Sequence, residues 1–257
     1  MIPPDLTVSL YTAEGVRRID RAAIEGGGVA GFELMRRAAD AVFATLRRRW
    51  PDARRIAVLA GRGNNGGDAL LVGQLALQHG LDVDAFAMSG EPADDAARAR
   101  HAFIEAGGRV GTFTDAQDFA DADLIVDGIF GTGLARAVDG EAAAVIERVN
   151  RSLRPVLAID IPSGLSADTG MRLGAAIEAD ATVSLVAWKR GLFTGDAAGC
   201  VGARELAPLD VPASAYAGVA IDATLLSGAM PRALPPRCGN VNKSHFGHVL
   251  AVGGDHG

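Results

Sequence analysis

Three short segments rich in glycine and polar residues carry the side chains that could do chemistry in this sequence. The first, GRGNNGGD at residues 61–68, holds two asparagines and an aspartate among its glycines. The second is DGIFGTGL at residues 127–134, and the third is DIPSGL at residues 160–165, which joins an aspartate to a serine. Amides, carboxylates and hydroxyls offer hydrogen bonds to a polar ligand, or oxygen ligands to a hard cation.

Each of these segments lies at the end of an apolar run that has the length of a buried strand. The runs are IAVLA at residues 56–60, DLIVDGIF at 123–130 and PVLAID at 155–160. Parallel strands present their carboxyl ends at one edge of a sheet, and ligands bind at that edge. Taken singly, each aspartate would more often cap a helix or form a turn. Three such segments together favour one polar pocket.

The pattern G-x-G-x-x-G at residues 61–66 raises the alternative of a dinucleotide-binding turn of the dehydrogenase type. That turn needs an acidic residue about 20 positions later, at the end of the second strand, to bind the ribose hydroxyls. Here the strand ends with FAMS at residues 86–89, and Glu91 follows too late. Asp68 would also stand in the first turn of the helix and repel a phosphate. The sequence disfavours a dehydrogenase, while a plain tight turn at the tandem asparagines stays open.

Alternating strands and helices are predicted to hold these segments in place. Helical periodicity at residues 13–25 and 32–49 is followed by further predicted helices at 66–80, 92–106 and 139–150, and further predicted strands at 83–88 and 181–188. Runs that are apolar on both faces and separated by helices are typical of a covered parallel sheet. The predicted fold is α/β, a Rossmann-like three-layer αβα sandwich with a mostly parallel central sheet and an N-terminal helical prologue.

The overall composition limits the partners and the location. The chain has 257 residues and a formal net charge of -6, which disfavours nucleic acid or an anionic membrane as a partner. Its two cysteines, Cys200 and Cys238, match no metal or redox spacing. The N-terminus lacks the features of a signal peptide, and no apolar stretch is long enough to span a bilayer. We expect a reduced, soluble, cytoplasmic protein, and self-association into a homo-oligomer stays open.

Four ordered motifs resemble those of a known family. GRGNNGGD, DGIFGTGL, DIPSGLSADTG at residues 160–170 and WKRGLFTG at 188–195 are similar to the signature segments of the NAD(P)H-hydrate epimerases, the YjeF N-terminal domain. FELMRRAADAV at residues 32–42 resembles the N-terminal helices of that family. The resemblance covers about residues 10–210. It implies an isomerase that interconverts the R and S epimers of hydrated NADH or NADPH, so that an S-specific dehydratase can restore the reduced cofactor.

The resemblance also implies roles for individual residues. Asp160 would contact the hydrated nicotinamide ring and is the best candidate for proton transfer, while Lys189 would assist it or only pair with a neighbouring acid. Asn65, Asp127 and Ser163 would bind a potassium ion, an all-oxygen set that suits a hard cation and not zinc or copper. The implied substrate contacts are Asn64, Asn65, Gly66, Gly67, Asp68, Gly131, Thr132, Gly133, Leu134, Ala135, Arg136, Ala137 and Asp160.

The composition changes from about residue 208, where prolines become frequent and predict a linker. The tail NKSHFGHVLAVGG at residues 242–254 resembles the opening of the ADP- or ATP-dependent hydrate dehydratase that is often fused behind the epimerase. We therefore expect an epimerase domain at residues 1–210, a linker at 211–240 and the truncated start of a dehydratase domain at 241–257. That start should lack dehydratase activity by itself. A nucleotide-dependent oxidoreductase and a non-catalytic binding module remain the alternative functions.

Overall fold

The computed structural model of this chain describes residues 5–26, 28–113 and 119–226. Within these residues the helices are α1 (Ala13–Glu25), α2 (Gly31–Arg49), α3 (Asn64–Gln78), α4 (Asp94–Glu105) and α5 (Gly140–Ser152). The strands are β1 (Ser9–Tyr11), β2 (Arg55–Ala60), β3 (Asp82–Ala87), β4 (Val110–Thr112), β5 (Leu124–Gly128), β6 (Val156–Ile159), β7 (Ala181–Leu185), β8 (Trp188–Lys189), β9 (Ala203–Ala207) and β10 (Ala223–Thr224). Short 3-10 turns lie at Arg190–Leu192, Gly195–Gly199 and Ala213–Tyr216.

A seven-stranded parallel sheet forms the centre of the domain, in the order β4-β3-β2-β5-β6-β7-β9. From β2 the chain moves outward through β3 to β4, and from β5 it moves outward in the other direction to β9. The loops after β2 and β5 therefore meet where the direction of winding reverses. Ligands of open α/β sheets bind at this switch point, beyond the carboxyl ends of the strands.

Helices cover both faces of this sheet. Along β2, Ile56 and Val58 pack into a core cluster with residues of α2, α3 and α4, whereas Ala57 and Leu59 pack into a second cluster with residues of α5. Successive side chains of a strand point to opposite faces, so a strand that is buried on both faces is apolar throughout. The α/β fold with a parallel sheet between helical layers and a helical N-terminal prologue is confirmed.

A second, three-stranded sheet was not predicted. Its order is β10-β1-β8, with β8 parallel and β10 antiparallel to β1. The single strand expected at residues 181–188 is wrong, because β7 ends at Leu185 and Val186 has a φ of 65°, which turns the chain out of the large sheet. Strands β4 and β9 were also missed, since both are edge strands that contain glycine or charged residues.

The residues after the predicted end of the domain at 210 pack back on it. The Tyr216 hydroxyl donates a hydrogen bond to the Val186 carbonyl oxygen at 2.9 Å, and the Tyr216 ring lies 6.4 Å from the Tyr11 ring. The compact unit consequently extends to Leu225. The rest of the predicted linker, from residue 227 to 240, and the predicted dehydratase start at 241–257 lie outside the described residues.

None of the helices formed by residues 5–26, 28–113 and 119–226 combines the length and the apolar character that a membrane crossing requires.

Candidate active site

The loop between β2 and α3 lies in very close contact with the loop after β5. A Cβ atom on Gly61 would lie 1.8 Å from the carbonyl oxygen of Ile129, and one on Gly66 would lie 1.9 Å from the carbonyl oxygen of Gly61. Any side chain at these two positions would overlap with backbone atoms, so only glycine fits. Gly61 therefore allows the two neighbouring loops to pack against each other, and Gly66 allows the segment GRGNNGGD to fold closely on itself.

The tandem asparagines form the first turn of α3, which begins at Asn64. The tight-turn interpretation is wrong, because neither Asn64 nor Asn65 is among the described residues with a positive φ. Asp68 consequently lies one turn further along the helix than expected, and the first turn contains no acidic residue. Strand β3 ends at Ala87 and has no acid at its end. The carboxylate that a dehydrogenase uses to bind ribose is therefore missing there, as the sequence indicated.

Asp127, Ser163 and Asn65 are brought together at the ends of β5 and β6 and the start of α3. Ser163 Oγ donates to Asp127 Oδ1 at 2.6 Å, and the Ser163 backbone N–H donates to Asp127 Oδ2 at 2.8 Å. Asn65 Nδ2 donates to the carbonyl oxygens of Phe130 at 3.0 Å and Ile159 at 3.2 Å. This arrangement leaves the amide oxygen of Asn65 without a donor among the described residues.

The Asp127 carboxyl group is fully buried. Burial raises the pKa of this carboxyl to about 6, although hydrogen bonds from Ser163 and from the Ile129 N–H act to lower it. No basic side chain in the described part of the chain contributes to that pKa. A buried carboxylate without a counter-charge, next to hydroxyl and amide oxygens, fits a hard monovalent cation. The described residues contain no group of three or more His, Cys, Asp or Glu side chains that could hold a metal ion.

Asp160 and Lys189 form a buried ion pair at the end of β6. The fully buried Lys189 Nζ donates to Asp160 Oδ1, to the Leu185 carbonyl oxygen at 2.7 Å and to Ser184 Oγ at 3.2 Å. Asp160 has a φ of 69°, a left-handed conformation that is uncommon outside glycine and that occurs preferentially at functional sites. Because an ammonium group has three donors, Lys189 is saturated inside the protein and holds Asp160 in place.

A cavity of about 690 Å³ opens in front of these segments. Its volume lies within the range of about 300–1,000 Å³ that is usual for ligand pockets. Asp160 lies on its wall, whereas Lys189 lies behind Asp160 and does not line it. Most predicted substrate contacts also line the cavity, namely Asn64, Asn65, Asp68, Gly131, Thr132, Gly133, Leu134, Ala135 and Arg136.

Three predicted substrate contacts do not lie on the cavity wall. Gly66 and Gly67 are buried, and Cβ atoms on them would meet the Gly61 backbone and the Met35 side chain. The reason is that α3 already begins at Asn64, which turns both glycines towards the core. Ala137 is exposed and lies outside the lining of the cavity.

Arg17, Asp20 and Arg62 also line the cavity. Arg62 lies in the first glycine segment but was not predicted as a contact, whereas Arg17 and Asp20 lie outside the sequence motifs. Asp20 lies on α1, four residues after Val16 and three before Ala23, which are both buried. A carboxylate on the apolar face of an amphipathic helix was the one available signal, because residues at these spacings share a face. One oxygen of Asp20, Oδ1, is buried and has no hydrogen-bond partner in the described part of the chain.

Asp20, Asp68 and Asp160 are three carboxyl groups in the field of one cation, Lys189. Burial raises the pKa of Asp20 to about 6; the charge of Lys189 opposes this shift and the charge of Asp160 adds to it. Burial, followed by the charges of Asp160 and Asp20, raises the pKa of Asp68 well above its ordinary value, again against Lys189. The cavity therefore contains more negative groups than its buried cation can balance.

Comparison with known proteins identifies the family. The sequence matches the family model described as YjeF-related protein N-terminus over residues 31–191. It is also 37% identical over 189 residues to the NAD(P)H-hydrate epimerase of Limosilactobacillus fermentum, a match that covers 74% of this chain and 91% of that protein. The chain belongs to the NAD(P)H-hydrate epimerase family. The resemblance drawn from the four motifs is thereby confirmed.

Longer relatives of this epimerase-family domain are bifunctional. The bifunctional NAD(P)H-hydrate repair enzyme Nnr of Escherichia coli K12 is 36% identical over 258 residues, which cover 99% of this chain and 50% of that protein. The Nnr enzyme of Coxiella burnetii is 36% identical over 253 residues, which cover 96% of this chain and 51% of that protein. The chain thus spans about half the length of these relatives.

A solved structure supports the fold of this epimerase-family domain. The crystal structure of the yeast protein ynu0 superposes with a TM-score of 0.63 and 21% sequence identity, over 70% of this chain and 81% of the yeast chain. This superposition shows that the two chains share the α/β architecture.

Proposed function

We propose that this chain interconverts the R and S epimers of hydrated NADH or NADPH. The observation that carries the proposal is the position of Asp160, which lies on the cavity wall and is held from behind by the buried Lys189. Membership of the epimerase family and the printed name of the Limosilactobacillus fermentum relative support the same reaction.

The reaction requires proton transfer but no oxidant or reductant. The hydrated ring carries its hydroxyl on the carbon next to the ring nitrogen. Inverting that carbon requires the hydroxyl to leave and return, or the ring to open and close again, and either route moves a proton on or off oxygen. Lys189 and the Leu185 N–H hold Asp160 Oδ1, whereas no described residue donates to Oδ2. Asp160 Oδ2 is therefore the oxygen that we assign to proton exchange with the substrate.

The second glycine segment and three arginines are placed to bind the phosphates of the substrate. Arg17, Arg62 and Arg136 line the cavity. Arg17 Nη1 donates to the Thr132 carbonyl oxygen at 3.2 Å and thereby ties α1 to the second glycine segment. Guanidinium groups form strong charge-assisted hydrogen bonds to phosphate oxygens, and glycine turns let the backbone approach them closely. We assign the pyrophosphate to this side of the cavity.

A potassium ion is the cofactor that we propose for this site. Asn65, Asp127 and Ser163 would hold it through their side-chain oxygens, in agreement with the buried, uncompensated carboxylate at Asp127. When bound, the ion would supply the positive charge that Asp127 lacks and would fix three segments next to Asp160.

The bifunctional relatives suggest a partner for the reaction. In a longer protein, a dehydratase domain in cis would consume the S epimer that this domain produces, as the names of the Nnr relatives imply. A cytoplasmic location stays a prediction from the sequence, and self-association stays open.

A direct test is to supply the purified chain with the R epimer alone and to separate the two epimers by chromatography over time. We expect S epimer to accumulate much faster than in buffer, until both epimers reach their equilibrium ratio. Nicotinamide absorbance should stay unchanged when an alcohol or aldehyde is added, because no hydride is transferred. An exchange rate equal to the spontaneous rate would contradict the proposed function.

A further inference from the structure

Two carboxyl groups of the cavity have no assigned part in proton transfer and no hydrogen-bond partner among the described residues. Asp68 is only 7% exposed, lines the cavity and accepts no hydrogen bond from a described residue. Asp20 also lines the cavity, and its Oδ1 is buried without a hydrogen-bond partner among residues 5–26, 28–113 and 119–226. Buried polar groups in proteins are normally hydrogen-bonded, because leaving one unpaired costs about 1–3 kcal/mol. An unpaired pair of acids on a cavity wall therefore suggests that a ligand completes it.

The groups around Asp20 and Asp68 do not neutralise them. Lys189 attracts both carboxylates, but its three donors are already bonded to Asp160 and to two neighbouring oxygens. Asp160 repels both, and Asp20 repels Asp68. Another ionisable neighbour of Asp20 is Tyr216. Its hydroxyl donates to a backbone carbonyl oxygen, and burial raises the pKa of that hydroxyl to about 12. Like charges that act on one another in a single cavity favour retention of a proton by one member of the group.

Arg17 does not compensate Asp20, although both belong to α1. Its guanidinium pairs with Glu14 at 2.9 Å and also donates to the Thr132 carbonyl oxygen. It is therefore directed to the mouth of the cavity and to solvent. The two acids remain a proton-holding pair rather than half of an ion pair.

We propose that Asp20 and Asp68 form a second proton-transfer group, separate from the Asp160–Lys189 pair, that exchanges a proton with the substrate hydroxyl. This inference rests on the proposed epimerase function. The pair gives its proton to the hydroxyl oxygen as the carbon–oxygen bond breaks and the bonding electrons leave with oxygen as water. The lone pair of the ring nitrogen then forms a carbon–nitrogen double bond. Water adds to the opposite face, Asp160 Oδ2 accepts its surplus proton, and the proton passes back to the pair through solvent, so that atoms and electrons balance.

Asp160 has a complementary part in this step. While the hydroxyl is absent the ring is positively charged, and the Asp160 carboxylate offers the opposite charge on the cavity wall. The pair thus supplies the proton, while Asp160 stabilises the charged ring and receives the proton of the incoming water, which explains why a single site carries three acids.

The test compares the wild-type chain with Asp20→Asn, Asp68→Asn and the double variant in the R-epimer assay. Positioned acids and bases contribute about 100- to 10,000-fold to rates, so we expect each single variant to lower kcat about 100-fold with little change in KM. The double variant should be no slower than the slower single variant, because the two acids act as one unit. Glu25→Gln removes an exposed acid from the same helix and should leave the rate unchanged.

The pH profile separates proton transfer from a structural role. The wild-type rate should fall as rising pH removes the proton of the pair, because burial raises the pKa of Asp20 to about 6, and burial with the charges of Asp160 and Asp20 raises the pKa of Asp68 well above its ordinary value. In Asp20→Asn, Asp68 loses a charge that raises its pKa, so the fall should move to lower pH. An unchanged profile in that variant would overturn the inference.

Thermal melting shows whether the variants fold. The folded-state pKa of Asp20 lies above its ordinary value of 3.8, so its contribution to stability is lost as the pH rises from about 3.8 to about 6. Asp20→Asn should therefore melt at a higher temperature than the wild type at pH 7.5. A stable Asp20→Asn variant whose exchange rate lies within threefold of the wild-type rate would refute this inference but not the proposed function. A wild-type chain without exchange activity would instead refute the proposed function.

Discussion

Two aspartates at the ends of neighbouring strands show how the same side chain acquires different uses. Asp127 near the end of β5 is fully buried, accepts three hydrogen bonds and does not line the cavity. Asp160 after β6 lies on the cavity wall, adopts a left-handed backbone and is paired with Lys189. We propose that the first joins loops and attracts a cation, and that the second reacts with the substrate. Their position at a strand end brings both aspartates to the site, and the groups around each aspartate determine its role.

The largest expected effect is that of Asp160→Asn on catalysis. The amide has the same shape but cannot accept a proton, so we expect kcat to fall by about 100-fold or more. Circular dichroism should show that the fold is retained. Asp127→Asn is the matched control at the neighbouring strand end, and it should retain more activity than Asp160→Asn in saturating potassium. The comparison fails if Asp160→Asn turns over the R epimer at nearly the wild-type rate.

The second largest effect is expected on stability, when Lys189 in the Asp160–Lys189 ion pair is replaced. Lys189→Met keeps the length of the side chain but leaves Asp160 as a buried charge without its partner. Removal of one member of a buried ion pair typically costs about 3–5 kcal/mol, and urea denaturation would measure this loss. The double variant Lys189→Met, Asp160→Asn should recover part of it, because no unpaired charge remains. Equal stability of the single variant and the wild type would show that the pair does not hold this region together.

The smallest effect tests the cation at Asp127. A ligand present at 100 times its dissociation constant stabilises the folded state by about 2.7 kcal/mol. We therefore expect the melting temperature of the wild-type chain to be several degrees higher in potassium chloride than in lithium chloride. Asp127→Asn should abolish the difference, whereas Asp160→Asn should keep it. Identical melting curves of the wild-type chain in both salts would count against a potassium site.

The sequence predicted the strand ends better than it predicted the surroundings of each side chain. Apolar runs followed by glycine and aspartate located Asp127 and Asp160, because burial on both faces of a parallel sheet leaves a strong pattern. The start of α3 was placed two residues too late. Gly66 and Gly67 therefore lie within α3 and off the cavity wall, while their contact with the substrate stays a prediction.

The remaining parts of the site depend on contacts between distant segments. Asp20 reaches the cavity from α1, and no local pattern in the sequence connects α1 with the glycine segments. The location of Lys189 behind Asp160 depends on the turn at Val186, a β-branched residue with a positive φ that sequence patterns do not predict. These placements are decided by tertiary packing, which a single sequence does not display.

The small sheet has a consequence for the order in which the site is completed during synthesis. Lys189 belongs to β8, which pairs with β1 near the start of the chain, and β1 pairs in turn with β10 at Ala223–Thr224. A ribosome makes β1 first, but the segment that carries the lysine reaches it only after most of the domain has emerged. Domains that emerge during translation generally fold as units. The nascent chain should therefore lack a finished ion pair at Asp160 until β8 has docked, so that competence for catalysis arrives among the last events of its biogenesis.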